Sequence, residues 1–280
     1  KFHEDSKNYV KVAVLGKPNV GKSSIVNKIC GQERSIVADF SGTTRDSIDT
    51  FLENNGKNYL IVDTAGIRRG RSIKSDVEKY SVFRALDAAE RSDVCLVVID
   101  ASEDITAQDS KIAGISKKYS KACIILVNKW DKLEPNSQNV LKIQEKIKEC
   151  FQFLHYAPVI YISAKTGRNF DKIFNVIDKT YKEFSRRIST GLLNSFLKNI
   201  TLHTPPPNIK GKQLKIYYIT QTGICPPTFV FFVNKSRLFH FSYQRYIENR
   251  LRESFGFDGT PIRFIIRQKG EILDEKSVEF

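Results

Sequence analysis

Apolar runs rich in β-branched and aliphatic residues recur along the first two thirds of the chain: Val10–Leu15, Tyr59–Asp63, Val94–Asp100, Ala122–Asn128 and Val159–Ser163. Between them lie stretches that read as helices, Lys22–Cys30, Ser75–Ala89, Thr106–Lys118, Asn139–Cys150 and Asn169–Tyr181. Alternation of this kind predicts an α/β fold with a mostly parallel sheet covered by helices on both faces. Such a sheet puts its ligands at the carboxyl ends of the strands. After "SRRIST" the rhythm changes. A helix over Thr190–Leu202 runs into "HTPPPNIKGK", whose prolines and glycine mark a loop. Strands over Gln213–Gln221 and Thr228–Asn234, a charged helix over Tyr243–Ser254 and a strand over Pro261–Gln268 then make a small α+β module. The predicted organisation is a linker remnant at 1–9, a first domain at 10–181, a second at 182–270 and a tail at 271–280.

With 280 residues, 41% hydrophobic and 27% charged, the chain can bury a core in each of two domains. No run approaches the roughly 18 apolar residues of a membrane span, so no membrane partner is expected and the cytosol is the expected compartment. Five cysteines without a C-x-x-C pair read as reduced structural residues, and four histidines without ligand spacing argue against a metal site built on them. The sequence contains no methionine: either it is not the whole reading frame, or its methionines are present only in modified form. The net charge of +14 is concentrated late in the chain, where Lys182 to Gly270 holds 15 Lys and Arg against four acids. A segment so biased suits a polyanion such as nucleic acid.

The chemistry is announced by "GKPNVGKS", Gly16 to Ser23, directly after the first apolar run. G-x-x-x-x-G-K-[ST] between a strand and a helix is a phosphate-binding loop, whose backbone N–H groups and helix dipole wrap phosphates. Lys22 is expected to reach the β- and γ-phosphates, and Ser23 to bind Mg2+ through its hydroxyl. Three further stations follow at strand ends, spaced 41, 65 and 35 residues apart along Lys22, Asp63, Asn128 and Ser163. "LIVDTAG" offers Asp63 to the magnesium shell, directly or through water, and the Gly66 N–H to the γ-phosphate. "IILVNKWD" offers Asp131, a carboxylate able to accept from both N1–H and N2–H2 of guanine, a donor pair adenine lacks. "VIYISAKTG" places the backbone N–H groups of Ser163, Ala164 and Lys165 where they can meet the guanine carbonyl. GTP or GDP is therefore the expected ligand. Its contacts are expected from Gly16, Lys17, Pro18, Asn19, Val20, Gly21, Lys22, Ser23 and Ser24, from Asp63, Thr64, Ala65, Gly66 and Ile67, and from Asn128, Lys129, Asp131, Ser163, Ala164 and Lys165.

The segments "GKPNVGKSSIVNKI", "SGTTRDSIDT", "DTAGIRRG", "EKYSVFRAL" and "VNKWDK" resemble the second GTPase domain of the Der (EngA) family of bacterial ribosome-assembly GTPases. "PPPNIKGKQLKIYYITQ", "PPTFVFFVN" and "HFSYQRYIENRLRESFGFDGTPIR" are similar to that family's KH-like domain. The resemblance implies a P-loop GTPase domain followed by an α+β KH-like domain, and a switch acting in assembly of the large ribosomal subunit through contacts with rRNA. Family members carry two GTPase domains, so the chain is expected to be the C-terminal two thirds of a longer protein whose missing N-terminal GTPase domain is a further partner. Ile67 is apolar and cannot orient water as a glutamine does. The resemblance supplies an alternative: Asn19 ligates K+ beside the phosphates, with backbone carbonyls of the Ala38–Thr43 loop, so that Lys22, Asn19, Thr44 and Gly66 carry catalysis. It also implies that Thr44 joins Mg2+ in the GTP state and that Ser41–Asp46 and Ile67–Ser75 are the two switches.

"GFDG", Gly256 to Gly259, has the letters of a KH phosphate clamp but joins a helix to a strand and carries Asp258, so a clamp is not expected there. Tyr217, Tyr218, Phe231 and Phe241 read as core residues rather than stacking platforms. Two rival readings remain open: a tRNA-modification GTPase with a similar loop asparagine, and a low-turnover switch whose tail docks on protein.

Overall fold

The computed structural model describes residues 9–31, 36–41, 48–63, 77–133, 137–206, 208–209 and 211–268. They divide into two compact units, the first within Lys1–Glu183 together with Asp258–Pro261, the second within Phe184–Phe257 and Ile262–Phe280.

The first unit is built on a seven-stranded sheet of β1 (Tyr9–Leu15), β2 (Ile36–Ser41), β3 (Ile48–Asn54), β4 (Lys57–Ile61), β5 (Val94–Asp100), β6 (Ala122–Asn128) and β7 (Val159–Tyr161), in the order β2-β3-β4-β1-β5-β6-β7. All seven residues of β5 and all seven of β6 are buried, as continuous apolar strands in the middle of a doubly covered sheet should be. β4, β1, β5, β6 and β7 pair in parallel, so their carboxyl ends share one edge of the sheet. Only β3 runs antiparallel to its neighbours. Helices α1 (Lys22–Cys30), α2 (Val77–Arg91), α3 (Ala107–Lys118), α4 (Ser137–Cys150) and α5 (Asp171–Phe184) complete the layers. The sequence pattern finds the parallel core and misses the β2–β3 pair. In β3, Asp49 and Glu53 interrupt the apolar run, although Thr50, Leu52 and Asn54 alternate inward. A signal was present: Asn55-Gly56, at φ 52° and 74°, is the two-residue hairpin turn that joins β3 to β4.

The second unit contains α6 (Thr190–His203), β8 (Asn208–Ile209), β9 (Lys212–Gln213), β10 (Ile216–Gly223), β11 (Thr228–Val233), α7 (Phe241–Phe255) and β12 (Arg263–Gln268). β10 pairs antiparallel and β12 parallel with the central β11. The Ser189 hydroxyl caps α6 by accepting from the Leu192 N–H, and the His240 ring caps α7 by accepting from the Ser242 N–H. Leu193, Phe196, Phe229, Phe231, Ile247 and Leu251 form part of its own core. Phe231 is thus a core residue, as the pattern suggests. Tyr217, Tyr218 and Phe241 are not: they are 50%, 42% and 68% exposed. Phe241 starts a helix with its ring outward, and the two tyrosines are turned out by a register shift in β10.

Candidate functional site

The four motif segments follow β1, β4, β6 and β7, so the parallel pairing brings them to one edge. Gly16 must be glycine because a Cβ there would stand 2.6 Å from the carbonyl oxygen of Val98. Gly21, at φ 98°, is the N-cap of α1 and makes no side-chain cap, which leaves the first-turn N–H groups facing the loop. Lys22 donates from Nζ to the carbonyls of Gly16 and Lys17, both at 2.7 Å, and so lies across the loop it belongs to. Burial lowers its pKa to about 8. Asn19 is exposed at the tip of the loop in the left-handed region, φ 66°. The Lys17 amine is engaged by Glu103 at 2.9 Å and by the buried Asp109 at 3.4 Å. Asp109 also closes the capping box of α3 with Thr106.

Asn128 is the keystone of the opposite wall. It is 1% exposed; its Nδ2 donates to the Val20 carbonyl at 2.8 Å and its Oδ1 accepts from the Ala164 N–H at 3.0 Å. One amide therefore fixes the phosphate loop to the Ser163–Lys165 loop. A Cβ on Gly21 would approach that Nδ2 to 2.3 Å, so the contact needs both residue types. Lys129, in the left-handed region at φ 62°, reaches the buried Asp100 carboxylate at 2.5 Å. Burial pushes the Asp100 pKa up, but the Lys129 ammonium and two Ser102 donors outweigh it and hold the carboxyl below its ordinary range. Trp130 is 3% exposed and packs on Tyr161 with ring centroids 4.6 Å apart, anchoring the turn from inside. Asp131 stands exposed, and its Oδ1 accepts from the Ser163 hydroxyl at 2.6 Å. That bond lowers its pKa, so the carboxylate is ionised and oriented. The same Ser163 oxygen accepts from the Thr166 N–H at 3.1 Å.

Asp63 is buried, with a left-handed backbone at φ 57°, and its N–H donates to Asp49 Oδ1 at 2.9 Å. Arg91 pairs with the other oxygen of Asp49, so a charge relay from α2 through β3 places Asp63. Thr44, Thr64, Ala65, Gly66 and Ile67, with most of both expected switches, lie outside the described residues. One expectation is corrected: Ala38 to Ser41 do not form a loop but belong to β2, because they pair antiparallel with β3 from Phe51 back to Ile48. Sequence reasoning also missed Asp49, Asp100 and Asp109. Asp109 had a signal, the T-x-x-D spacing after Thr106; the other two are made relevant by partners 42 and 29 residues away.

At the other end of the unit, Gly259 donates its N–H to the Tyr156 carbonyl at 2.7 Å and accepts at its carbonyl from the Cys123 N–H at 2.8 Å. Its backbone groups are thus spent on Tyr156 and on the start of β6, which suits a structural turn rather than a phosphate clamp.

Two family models match the chain. "50S ribosome-binding GTPase" covers residues 11–129, and "KH-domain-like of EngA bacterial GTPase enzymes, C-terminal" covers residues 187–267. Among curated relatives, GTPase Der of Acetivibrio thermocellus is 52% identical over 270 residues, 95% of this chain and 61% of that protein. GTPase Der of Lachnospira eligens is 53% identical over 261 residues, 93% of this chain and 59% of that protein. The chain thus spans about three fifths of the length of these relatives. Among solved structures, Era of Aquifex aeolicus bound to GDP.AlF4- is 24% identical, with a TM-score of 0.48 over 94% of this chain and 93% of its own.

Proposed function

Because the chain belongs to the Der (EngA) family of GTPases, we propose that it binds GTP with Mg2+, hydrolyses it to GDP and phosphate, and uses the change of state to control docking on the large ribosomal subunit. The observation that carries the nucleotide part is the Asn128 bridge between the phosphate loop and the Ser163–Lys165 loop, with Asp131 oriented beside it by Ser163. An ionised carboxylate held in that way suits the N1–H and N2–H2 donors of guanine. The phosphate tail is met by the N–H groups of Gly16 to Ser24 and the start of α1, and Lys22 exchanges its loop carbonyls for phosphate oxygens.

The donors fit the metal. Ser23 brings a hydroxyl into the first turn of α1 and Asp63 supplies a buried carboxylate, a hard-oxygen set suited to Mg2+. When bound, the ion neutralises charge on the β- and γ-phosphates. Around it, Thr44 would add a hydroxyl and the Gly66 N–H would sense the γ-phosphate, while Asn19 at the loop tip would hold K+ in the position an arginine finger takes elsewhere. Release of Thr44 and Gly66 on loss of the γ-phosphate makes Ser41–Asp46 and Ile67–Ser75 the switches.

Ribosome docking belongs in this reading to the second unit, whose Lys and Arg excess suits rRNA, with an N-terminal GTPase domain of a longer chain as a further partner. The KH-like match over residues 187–267 favours this over a tRNA-modification GTPase. No helix among the described residues is long and apolar enough to cross a membrane, and the proposed site of action is the cytoplasm. The test is a titration of purified large ribosomal subunits with the chain loaded with GTP analogue or GDP, at two salt concentrations. Binding should differ between the nucleotides and weaken as salt rises. A response flat in nucleotide would remove the switch, and one flat in salt would remove the polyanion.

A further inference from the structure

The three-stranded sheet of the second unit has one face turned to its core through Ile219, Phe229, Phe231 and Val233. The register of its other face is unusual at one end. Ile216 pairs with Val233, and the next pair is Tyr218 with Phe232, so Tyr217 is an extra residue in the edge strand. A bulge of this kind breaks the inward-outward alternation and re-aims side chains. Here it leaves two consecutive tyrosines 50% and 42% exposed, where strict alternation would have buried one of them. Tyr218 lies on Phe232 with ring centroids 4.2 Å apart and planes 13° from parallel. Across β11, Phe232 is in register with Arg267, so a basic residue follows the two stacked rings along the row.

The charge around this row has one sign. β10, β11 and β12 contain no acid, and the segment from Phe184 to Gln268 holds 13 Lys and Arg. Of its three acids, Glu248 and Glu253 are each paired with an arginine of α7, and Asp258 belongs to the first unit. The three strands thus carry Arg263 and Arg267, with Lys215 and Lys235 near the ends of β10 and β11, and no competing carboxylate on them. Protein partners are served by broad apolar cover, whereas an unpaired base needs one flat ring to lie on and cations for the phosphates on either side.

We propose that the outer face of the β10–β11–β12 sheet binds single-stranded RNA, with an unpaired base extending the Tyr218–Phe232 stack and the adjacent phosphate taken by Arg267. This rests on the rRNA docking proposed above and names where on the second unit it occurs. The surface is separate from the Gly256–Gly259 turn, and the bases it takes must be unstacked from a helix, so loops, bulges and strand ends are its targets.

The test uses the whole chain and three labelled RNAs, a ten-nucleotide oligouridylate, an oligoadenylate of the same length carrying one 2-aminopurine, and a duplex of matching length, followed by anisotropy and by 2-aminopurine fluorescence. Wild type should prefer the single strands and quench the 2-aminopurine. Tyr218→Ala should weaken single-strand binding about tenfold to a hundredfold, with the salt slope and the duplex affinity unchanged and the quenching lost. Tyr218→Phe should retain both, and Phe241→Ala, removing an exposed ring elsewhere, should change neither. Equal affinity for duplex and single strand, an unaltered Tyr218→Ala titration, or quenching that survives in Tyr218→Ala would overturn the proposal. A protein occupant would leave the oligonucleotide titrations flat. If they are flat while large ribosomal subunits still bind with salt dependence, this face is wrong and the docking reading stands; if both are flat, the docking reading fails with it.

Discussion

Replacing Asn128 with alanine removes both hydrogen bonds that join the phosphate loop to the Ser163–Lys165 loop. Val20 is fully buried, so its carbonyl is left unpaired in the interior, while the part-buried Ala164 N–H loses its protein acceptor. Each such group costs about 1–3 kcal/mol when fully buried, so about 2–6 kcal/mol is the upper range for the pair. Part of this appears as lost stability. The remainder appears on binding, because nucleotide must pull two relaxed loops back together; about 1.4–3 kcal/mol there is roughly a tenfold to hundredfold rise in Kd. Asn128→Asp separates geometry from size. Its carboxylate still accepts from the Ala164 N–H but faces the Val20 carbonyl with a lone pair, and only the protonated form donates there. Relative to wild type, Asn128→Asp should therefore gain affinity as pH falls from about 8 to about 5.5, while Asn128→Ala keeps a constant deficit. The assay is titration of fluorescent GDP at fixed Mg2+ across that range, with urea unfolding of each variant. Asn128→Ala binding within twofold of wild type, or the two variants tracking each other across pH, would refute the keystone role.

Three other outcomes follow from the same geometry. Lys22 has its pKa lowered to about 8 by burial, and phosphate raises it again, so between about pH 8 and 10 nucleotide binding should take up a proton. Calorimetry in buffers of different ionisation enthalpy measures that uptake, and a buffer-independent heat at pH 8.5 would contradict it. In the free chain the depressed pKa means the unfolded state holds more protons in this window, so Lys22's unfavourable share of stability is full below about pH 8 and is relieved as pH rises toward 10.5. Asp100→Asn should release Lys129 and speed GDP dissociation about fivefold, for a partly exposed ion pair worth about 1 kcal/mol; stopped-flow chase of fluorescent GDP reads it. Hydrolysis in KCl should exceed that in NaCl, and Asn19→Ala should abolish the difference while leaving GDP affinity within a few fold; equal turnover of wild type in both salts would remove K+ from the mechanism.

The phosphate loop and the strand ends that carry Asp63, Asn128 and Ser163 were legible because their spacing is local and their residue types have few other uses. α1, β5 and β6 have the very bounds the pattern predicts, since long apolar runs and a glycine-rich turn leave little latitude. β2 and β3 were hidden because an antiparallel edge pair needs only half of its positions apolar, and the inward-facing positions of β3 include polar Thr50 and Asn54. The roles of Asp49 and Asp100 were invisible for another reason. An acid in a strand reads as a solvated residue until the fold brings Arg91 or Lys129 to it. The outward turn of both Tyr217 and Tyr218 was missed because a single inserted residue in β10 breaks the alternation that would have turned one of them inward, and no residue type announces it.

On the proposed reading, the Asp131 carboxylate, oriented by Ser163, selects guanine by its two edge donors. The decisive measurement is competition of GTP, ATP and XTP against fluorescent GDP, for wild type and for Asp131→Asn. Wild type should take GTP far more tightly than ATP or XTP, and Asp131→Asn should exchange GTP for XTP, whose C2 carbonyl accepts where the guanine amino group donates. Wild type binding ATP as tightly as GTP, or Asp131→Asn keeping its preference for GTP, would contradict it.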